Sequence, residues 1–137
     1  MIVISGQVKL ETTVYSSKQK LRQLGDQEIN IIPLVSSITK YSTMITNPLE
    51  IKFALEKALF EATSGRPGPV WIDIPLDIQS KIIDTSSLKC YVPKLAIKKT
   101  NIQSKIASIY KEINKSQRPV ILAGNGIRLS NSFIEFN

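Results

Sequence analysis

Apolar positions along the chain come in short runs, each fenced by polar or ring-constrained residues. Ile2, Val3 and Ile4 form a β-branched run closed by Ser5 and Gly6, the pattern of a strand buried in a parallel sheet. Residues 8 to 26 are polar and rich in Thr, Ser and Lys, which predicts a long loop of the kind that is functional or mobile in compact domains. Asp26 is placed to cap a short helix with Glu28 in its first turn, and Pro33 limits that helix to about one or two turns. Alternation of β-branched and polar residues then predicts a short strand at Ile38 to Tyr41.

Asn47–Pro48 is a strong helix start, with Asn as cap and Pro at the first helical position. Ile51, Ala54, Leu55, Ala58, Leu59 and Ala62 follow on one helical face, and its alanines suit close packing on a sheet. Gly65 is placed to end this helix. The segment "SGRPGPVWIDIPLDIQ" (64–79) is the most constrained in the chain. Its glycines and prolines direct a strand, Val70 to Ile74, into the sheet. Val70, Ile72 and Ile74 share one face of that strand, Trp71 and Asp73 the other. Pro75 cannot donate to a ladder, which predicts that the strand ends there and the chain leaves the domain. Residues 80 to 99 lose periodicity and read as a linker. Thr100 is placed to cap a second helix with Ile102, Ile106, Ile109, Tyr110 and Ile113 on its buried face. Val120 to Ala123 reads as a strand, followed by a glycine turn and the start of a further helix. The order β, α, β, α, β predicts an α/β fold with a parallel sheet flanked by helices.

At 137 residues, 42% apolar and 21% charged, the composition is that of a folded domain rather than a disordered chain. No apolar run approaches the roughly 20 residues of a membrane span, and "MIVISGQVK" lacks the basic flank of a signal peptide. One cysteine, Cys90, and no histidine exclude internal disulfides, zinc clusters and Ser–His or Cys–His nucleophile pairs within one chain. The expected compartment is the reducing cytoplasm. The formal charge of +7 comes from scattered Lys and Arg with little aromatic interleaving. This favours a solvated basic surface over a nucleic-acid partner, and neither nucleic acid nor membrane is expected as a partner.

The ordered strings "ISGQV" (4–8), "GDQE" (25–28), "ITK" (38–40), "GRPGPVWIDIPLDIQ" (65–79) and "RPVILAGNG" (118–126) resemble the thiamine-diphosphate-dependent enzymes of the acetolactate synthase and pyruvate-decarboxylase-like group. The resemblance covers nearly the whole chain. It implies that residues 1–80 are the later half of a pyrimidine-binding domain, 81–99 a linker, and 100–137 the truncated start of a Rossmann-like central domain. It also implies thiamine diphosphate and Mg²⁺ as cofactors and a dimeric or tetrameric homo-oligomer. The small-molecule substrate would be a 2-oxo acid such as pyruvate, decarboxylated with transfer of the bound carbanion to an acceptor.

The same resemblance implies that the Gln27–Glu28 pair lies near the thiamine diphosphate cleft, at a dimer interface, with Gln27 the candidate for binding the cofactor. Asp26 stands where the family usually has an aromatic residue, and Lys9 where acetolactate synthases usually have proline. The departure at Asp26 bears on the substrate pocket, and Lys9 in a lengthened loop points to a divergent 2-oxo-acid enzyme rather than a plain acetolactate synthase. For Gln27 and Glu28 the alternative reading is that they only polarise a helix N-terminus. Gly124 and Gly126 sit where a nucleotide-binding turn would, for FAD as in acetolactate synthases; the alternative is an empty turn. Asp73 reads as a catalytic carboxylate or, better, as a satisfied structural acid. The family's catalytic glutamate lies upstream of this sequence, and its metal-binding Gly-Asp-Gly…Asn motif downstream. No catalytic residue and no metal ligand is therefore expected here. The expectation is a fragment inactive alone, with a non-catalytic module pairing with a full-length relative, or a nucleotide-binding domain, as alternatives.

Overall fold

The computed structural model describes residues 1–93 and 101–137, which fall in two compact units, Met1–Pro93 and Lys94–Asn137. The first unit is built on three parallel strands, β1 (Ile2–Gln7), β2 (Tyr41–Met44) and β3 (Val70–Pro75), in the order β1-β3-β2. Ile2 and Tyr41 both stand opposite Val70, and Ser5 and Met44 both stand opposite Asp73. All three strands therefore end on the same side of the sheet. The expected α/β fold, a parallel sheet flanked by helices, is present.

Two expected elements are displaced. The helix expected to start at Asp26 is instead α1 (Ile31–Val35). Pro33 lies inside it, because N–H groups of a first turn have no partner within the helix to lose. The strand expected from Ile38 starts only at Tyr41. Ile38 N–H and Thr39 Oγ1 both donate to the Val35 carbonyl, which holds those residues in the turn after α1.

The core lies between one sheet face and α2 (Ile51–Thr63). Asn47 Oδ1 accepts the Leu49 N–H in the turn leading into α2, as the sequence predicts. Of the six positions expected to be buried, Ala54, Ala58 and Ala62 are buried, while Leu55 and Leu59 are exposed. Alanine at every fourth position lets the helix axis approach Val70 and Ile72 closely, and the leucines flank that contact. Gly65 ends the helix region with φ of 56°, a left-handed conformation that favours glycine.

Lys40 Nζ donates to the carbonyls of Glu61 and Ser64 at the end of α2, placing a cation at the negative end of the helix. Gly68 passes under the stem of that lysine. A Cβ there would fall 2.8 Å from Lys40 Cδ and 2.9 Å from Cγ. Gly68→Ala is therefore expected to push Lys40 off both carbonyls and cost about 1–2 kcal/mol, the scale of charge-assisted hydrogen bonds. Urea denaturation followed by Trp71 fluorescence checks this; an unchanged midpoint would show that the stem moves aside freely.

Pro75, expected to end β3 and release the chain from the domain, ends the strand but does not release the chain. The backbone turns at once into α3 (Leu76–Gln79), Ile78 returns to the core, and Asp77 accepts the Leu10 N–H at 2.9 Å. Tyr91, inside the segment expected to be a linker, is fastened to α2. Its N–H donates to Glu56 Oε2 at 2.7 Å, and its ring packs edge-on against Phe53 and tilted against Phe60.

In the second unit, α4 (Ile102–Lys115) is capped by Asn101, whose side chain accepts the Ser104 N–H. Thr100, the expected cap, lies outside the described residues, as do positions 94–99 of the expected linker. Ile102, Ile106, Ile109, Tyr110 and Ile113 share a face as expected but are exposed rather than buried. Two short helices follow, α5 (Gly126–Leu129) and α6 (Phe133–Phe136). The strand expected at Val120 to Ala123 is not formed. Val120 is 92% and Leu122 98% exposed, and an apolar run becomes a strand only by pairing its backbone groups with a neighbour. The expected Rossmann-like β/α opening is thus not built among the described residues. No helix among them is long and apolar enough to cross a membrane.

Candidate functional site

Ligand sites of open parallel sheets lie beyond the carboxyl ends of the strands. Here that edge presents Gln7, Met44 and Asp73, and the loop 8–30 runs across it. On the face opposite α2, Trp71 and Asp73 of β3 face Ser5 and Gln7 of β1, with Ser5 directly opposite Asp73. Trp71 Nε1 donates to Ser5 Oγ at 2.8 Å, and Ser5 Oγ donates to Asp73 Oδ1 at 2.6 Å. Gln7 Nε2 donates to Asp73 Oδ2 at 3.2 Å and to the Ile29 carbonyl at 2.6 Å. Gln7 Oε1 accepts the Val8 N–H. Asp73 is 1% exposed with both oxygens engaged, which is the geometry of the structural-acid reading.

The loop holds itself in shape around a second buried acid. Glu28 is 6% exposed, and its carboxylate accepts the N–H groups of Val14 at 2.6 Å, Leu24 at 2.7 Å and Gly25 at 3.3 Å. Burial on its own would raise the Glu28 pKa, but these three backbone donors outweigh it and hold the carboxyl below its ordinary value. Sequence reasoning places Glu28 with Gln27 near the cofactor cleft or, alternatively, at a helix N-terminus, and misses this role. The available signal is an acid near the end of a long polar loop, whose many unpaired N–H groups need an acceptor. Gln27, the residue expected near the cofactor, is exposed. Its backbone N–H donates to Asp26 Oδ1, and among the described residues its side chain makes no hydrogen bond.

Space at the strand ends is small. The cavity bordered by Gln7, Thr13, Glu28, Asn30, Met44 and Asp73 has a volume of about 10 Å³, room for about one water at most. Among the described residues every buried side-chain N and O has a protein partner. These residues by themselves do not fit thiamine diphosphate. Among the described residues no group of three His, Cys, Asp or Glu could hold a metal ion. A larger cleft of about 510 Å³ lies elsewhere, bordered by Tyr41, Thr43, Glu50, Phe53 and Lys89. Lys57 Nζ stands 4.4 Å from the centre of the Tyr41 ring, and burial pushes the Tyr41 hydroxyl pKa up. In the second unit, Gly124 borders a cleft of about 370 Å³ with Asn125, Arg128 and Phe133, and Gly126 stands outside its lining. A Cβ at either glycine would meet nothing within 4 Å, so no close backbone approach requires glycine there. With no strand leading into it, this turn does not have the form of an FAD-binding βα turn.

No family model matches the chain. It is 37% identical over 137 aligned residues to the acetolactate synthase large subunit of Buchnera aphidicola (subsp. Acyrthosiphon pisum), covering 96% of this chain and 22% of that protein. It is 40% identical over 108 residues to the probable acetolactate synthase large subunit of Methanocaldococcus jannaschii, covering 76% of this chain and 18% of that protein. A chloroplastic acetolactate synthase of Oryza sativa is 31% identical over 135 residues, covering 95% of this chain and 19% of that protein. The chain thus spans about a fifth of the length of the curated relatives it matches. Among solved structures, benzoylformate decarboxylase from Polynucleobacter necessarius superposes with a TM-score of 0.70 at 21% identity, over 98% of this chain and 24% of that one. That likeness is one of fold.

Proposed function

The chain belongs to the acetolactate synthase-like family of thiamine-diphosphate-dependent enzymes, and we propose from this that it forms one wall of a thiamine diphosphate cleft that a further polypeptide segment completes. The parent enzyme would act on a 2-oxo acid such as pyruvate, decarboxylating it and passing the bound carbanion to an acceptor. Its setting would be a cytoplasmic homo-oligomer, with Mg²⁺ and any FAD held by residues other than those of the Gly124–Gly126 turn. The observation that carries the reading is the 37% identity along 96% of the chain.

Gln27 supports the division of labour. It is exposed and, among the described residues, its side chain makes no hydrogen bond, which suits it to meet a group held by another segment, while Glu28 is spent on the loop. The 137 residues contain no Gly-Asp-Gly string, and the strand-end cavity of about 10 Å³ does not admit the cofactor. The chain alone is therefore expected to turn over no 2-oxo acid. The test is purified chain with pyruvate, thiamine diphosphate and Mg²⁺, assayed for CO₂ and acetolactate, with cofactor binding followed by calorimetry. Turnover by the 137-residue chain would sink the proposal.

A second reading has one observation in its favour. Among the described residues β1 pairs only with β3, and Ile2 and Ile4 stand exposed along it, an open apolar edge suited to a pairing module. Co-purification with a full-length relative in which cofactor turnover is unaffected by Gln27→Ala would favour that reading over the cofactor wall.

A further inference from the structure

We propose that Asp73 is a positioning residue: acting through Gln7, it fastens the loop 8–30 across the strand ends and so sets where residues 27–29 stand. The consequence for a cofactor rests on the reading of Gln27 above; the fastening does not.

The argument comes from the polarity of each hydrogen bond. A carboxamide can turn over by about half a turn, exchanging oxygen and nitrogen at little steric cost. Gln7 is denied that freedom. The Asp73 carboxylate and the Ile29 carbonyl are both acceptors only, and both meet Gln7 Nε2. Oε1 is left facing the Val8 N–H, a donor only. Reversing the amide would set oxygen against two acceptors and nitrogen against a donor.

Asp73 is itself held in place. The Trp71 indole can only donate, and it donates to Ser5 Oγ, which leaves the Ser5 proton for Asp73 Oδ1. The direction of every bond is therefore fixed from Trp71 in the sheet to Ile29 in the loop. Ile29 adjoins Glu28, whose carboxylate gathers Val14, Leu24 and Gly25. The Gln7–Ile29 bond is thus where the self-closed loop is tied to β1. Asp73 sits at the centre of the buried strand because from there it reaches the side chain that makes the tie.

The experiment is side-chain and backbone hydrogen exchange by NMR on the full chain. Trp71 is the single tryptophan, so its indole N–H gives one signal that reports on the sheet end of the network. In the wild type the Gln7 NH₂ is expected to exchange at least about tenfold more slowly than that of exposed Gln27. Asp73→Ala is expected to remove that protection and shift the backbone amides of 27–29, while Val70 and Ile72 stay protected. Asp73→Asn is expected to rescue it, its carbonyl accepting from Gln7 and its NH₂ donating to Ser5 Oγ. Should Asp73→Ala fail to fold, Gln7→Leu carries the test. It leaves the Trp71–Ser5–Asp73 bonds intact and is expected to move 27–29 without moving the Trp71 indole signal. A Gln7 NH₂ that exchanges as fast as Gln27 in the wild type, or amides 27–29 unmoved in Gln7→Leu, would overturn the proposal. No cofactor enters these readouts, so failure of the cofactor-wall reading leaves them unchanged and is seen only in the turnover and binding assays.

Discussion

Glu28→Ala is expected to destabilise the first unit by about 2–4 kcal/mol and to free the loop 8–30. The size follows from what the carboxylate does. It accepts three backbone N–H groups from two places in the loop, Val14 on one side and Leu24 and Gly25 on the other. Hydrogen bonds to a charged group contribute about 1.5–3 kcal/mol each when removed singly, but bonds sharing one acceptor are not additive. Water partly replaces the acceptor where the loop opens, which holds the loss below the sum. Urea denaturation followed by Trp71 fluorescence gives the magnitude, and limited proteolysis between 14 and 25 gives the location. Loss of stability without new cleavage in the loop would contradict this account of Glu28.

The same residue has a signature in pH. Its folded pKa lies below the ordinary glutamate value of 4.5, so near that pH the unfolded chain binds the proton more readily than the folded one. Stability from Glu28 is then fully present above 4.5 and is lost as pH falls through that value towards the lower folded one. The wild type should lose stability faster than Glu28→Ala below that pH, and the two should run parallel above it. Denaturation midpoints between about pH 3 and 7 check the sign.

How much of this was legible beforehand depends on where each residue's partners lie in the sequence. The helix from Asn47 to Gly65 and the strand at 70–74 carry their own signals: a cap, a period, a fence of glycine and proline. They stand in the structure within a residue or two. Glu28 and α1 depart from the local expectation because the competing claim on Glu28 comes from N–H groups as far away as Val14, which no local helix rule weighs. Val120 to Ala123 has every local mark of a strand and pairs with nothing among the described residues. The string around 64–79 predicts, from Pro75, an exit from the domain. Its last residues instead turn back, Ile78 into the core and Asp77 onto Leu10, contacts that depend on the loop from β1. At the candidate site, the sequence pointed to Gln27 by resemblance. The geometry adds that Gln7, Asp73 and Glu28 hold the surface on which Gln27 stands.

Ile72→Ala is the change expected to cost most in the core, about 2–5 kcal/mol, and its pair mate shows why. Ile4 and Ile72 stand directly opposite each other in register and differ only in place: Ile72 is 0% exposed under α2, whereas Ile4 is 57% exposed on the outer strand. Removing methylenes from the fully packed site loses their transfer energy and leaves a cavity among Ala54, Ala58 and Val70. The helix cannot easily fill that space, because alanine already brings it close to the sheet. Ile4→Ala removes atoms that are already largely in water, and an effect within about 1 kcal/mol is expected. Equal losses at the two positions would mean that the face of β1 is covered in solution by something that protects Ile4 as α2 protects Ile72. Repeating the pair of measurements across a range of protein concentrations separates the cases. A cover supplied by a second copy makes the Ile4→Ala cost grow with concentration and leaves that of Ile72→Ala fixed.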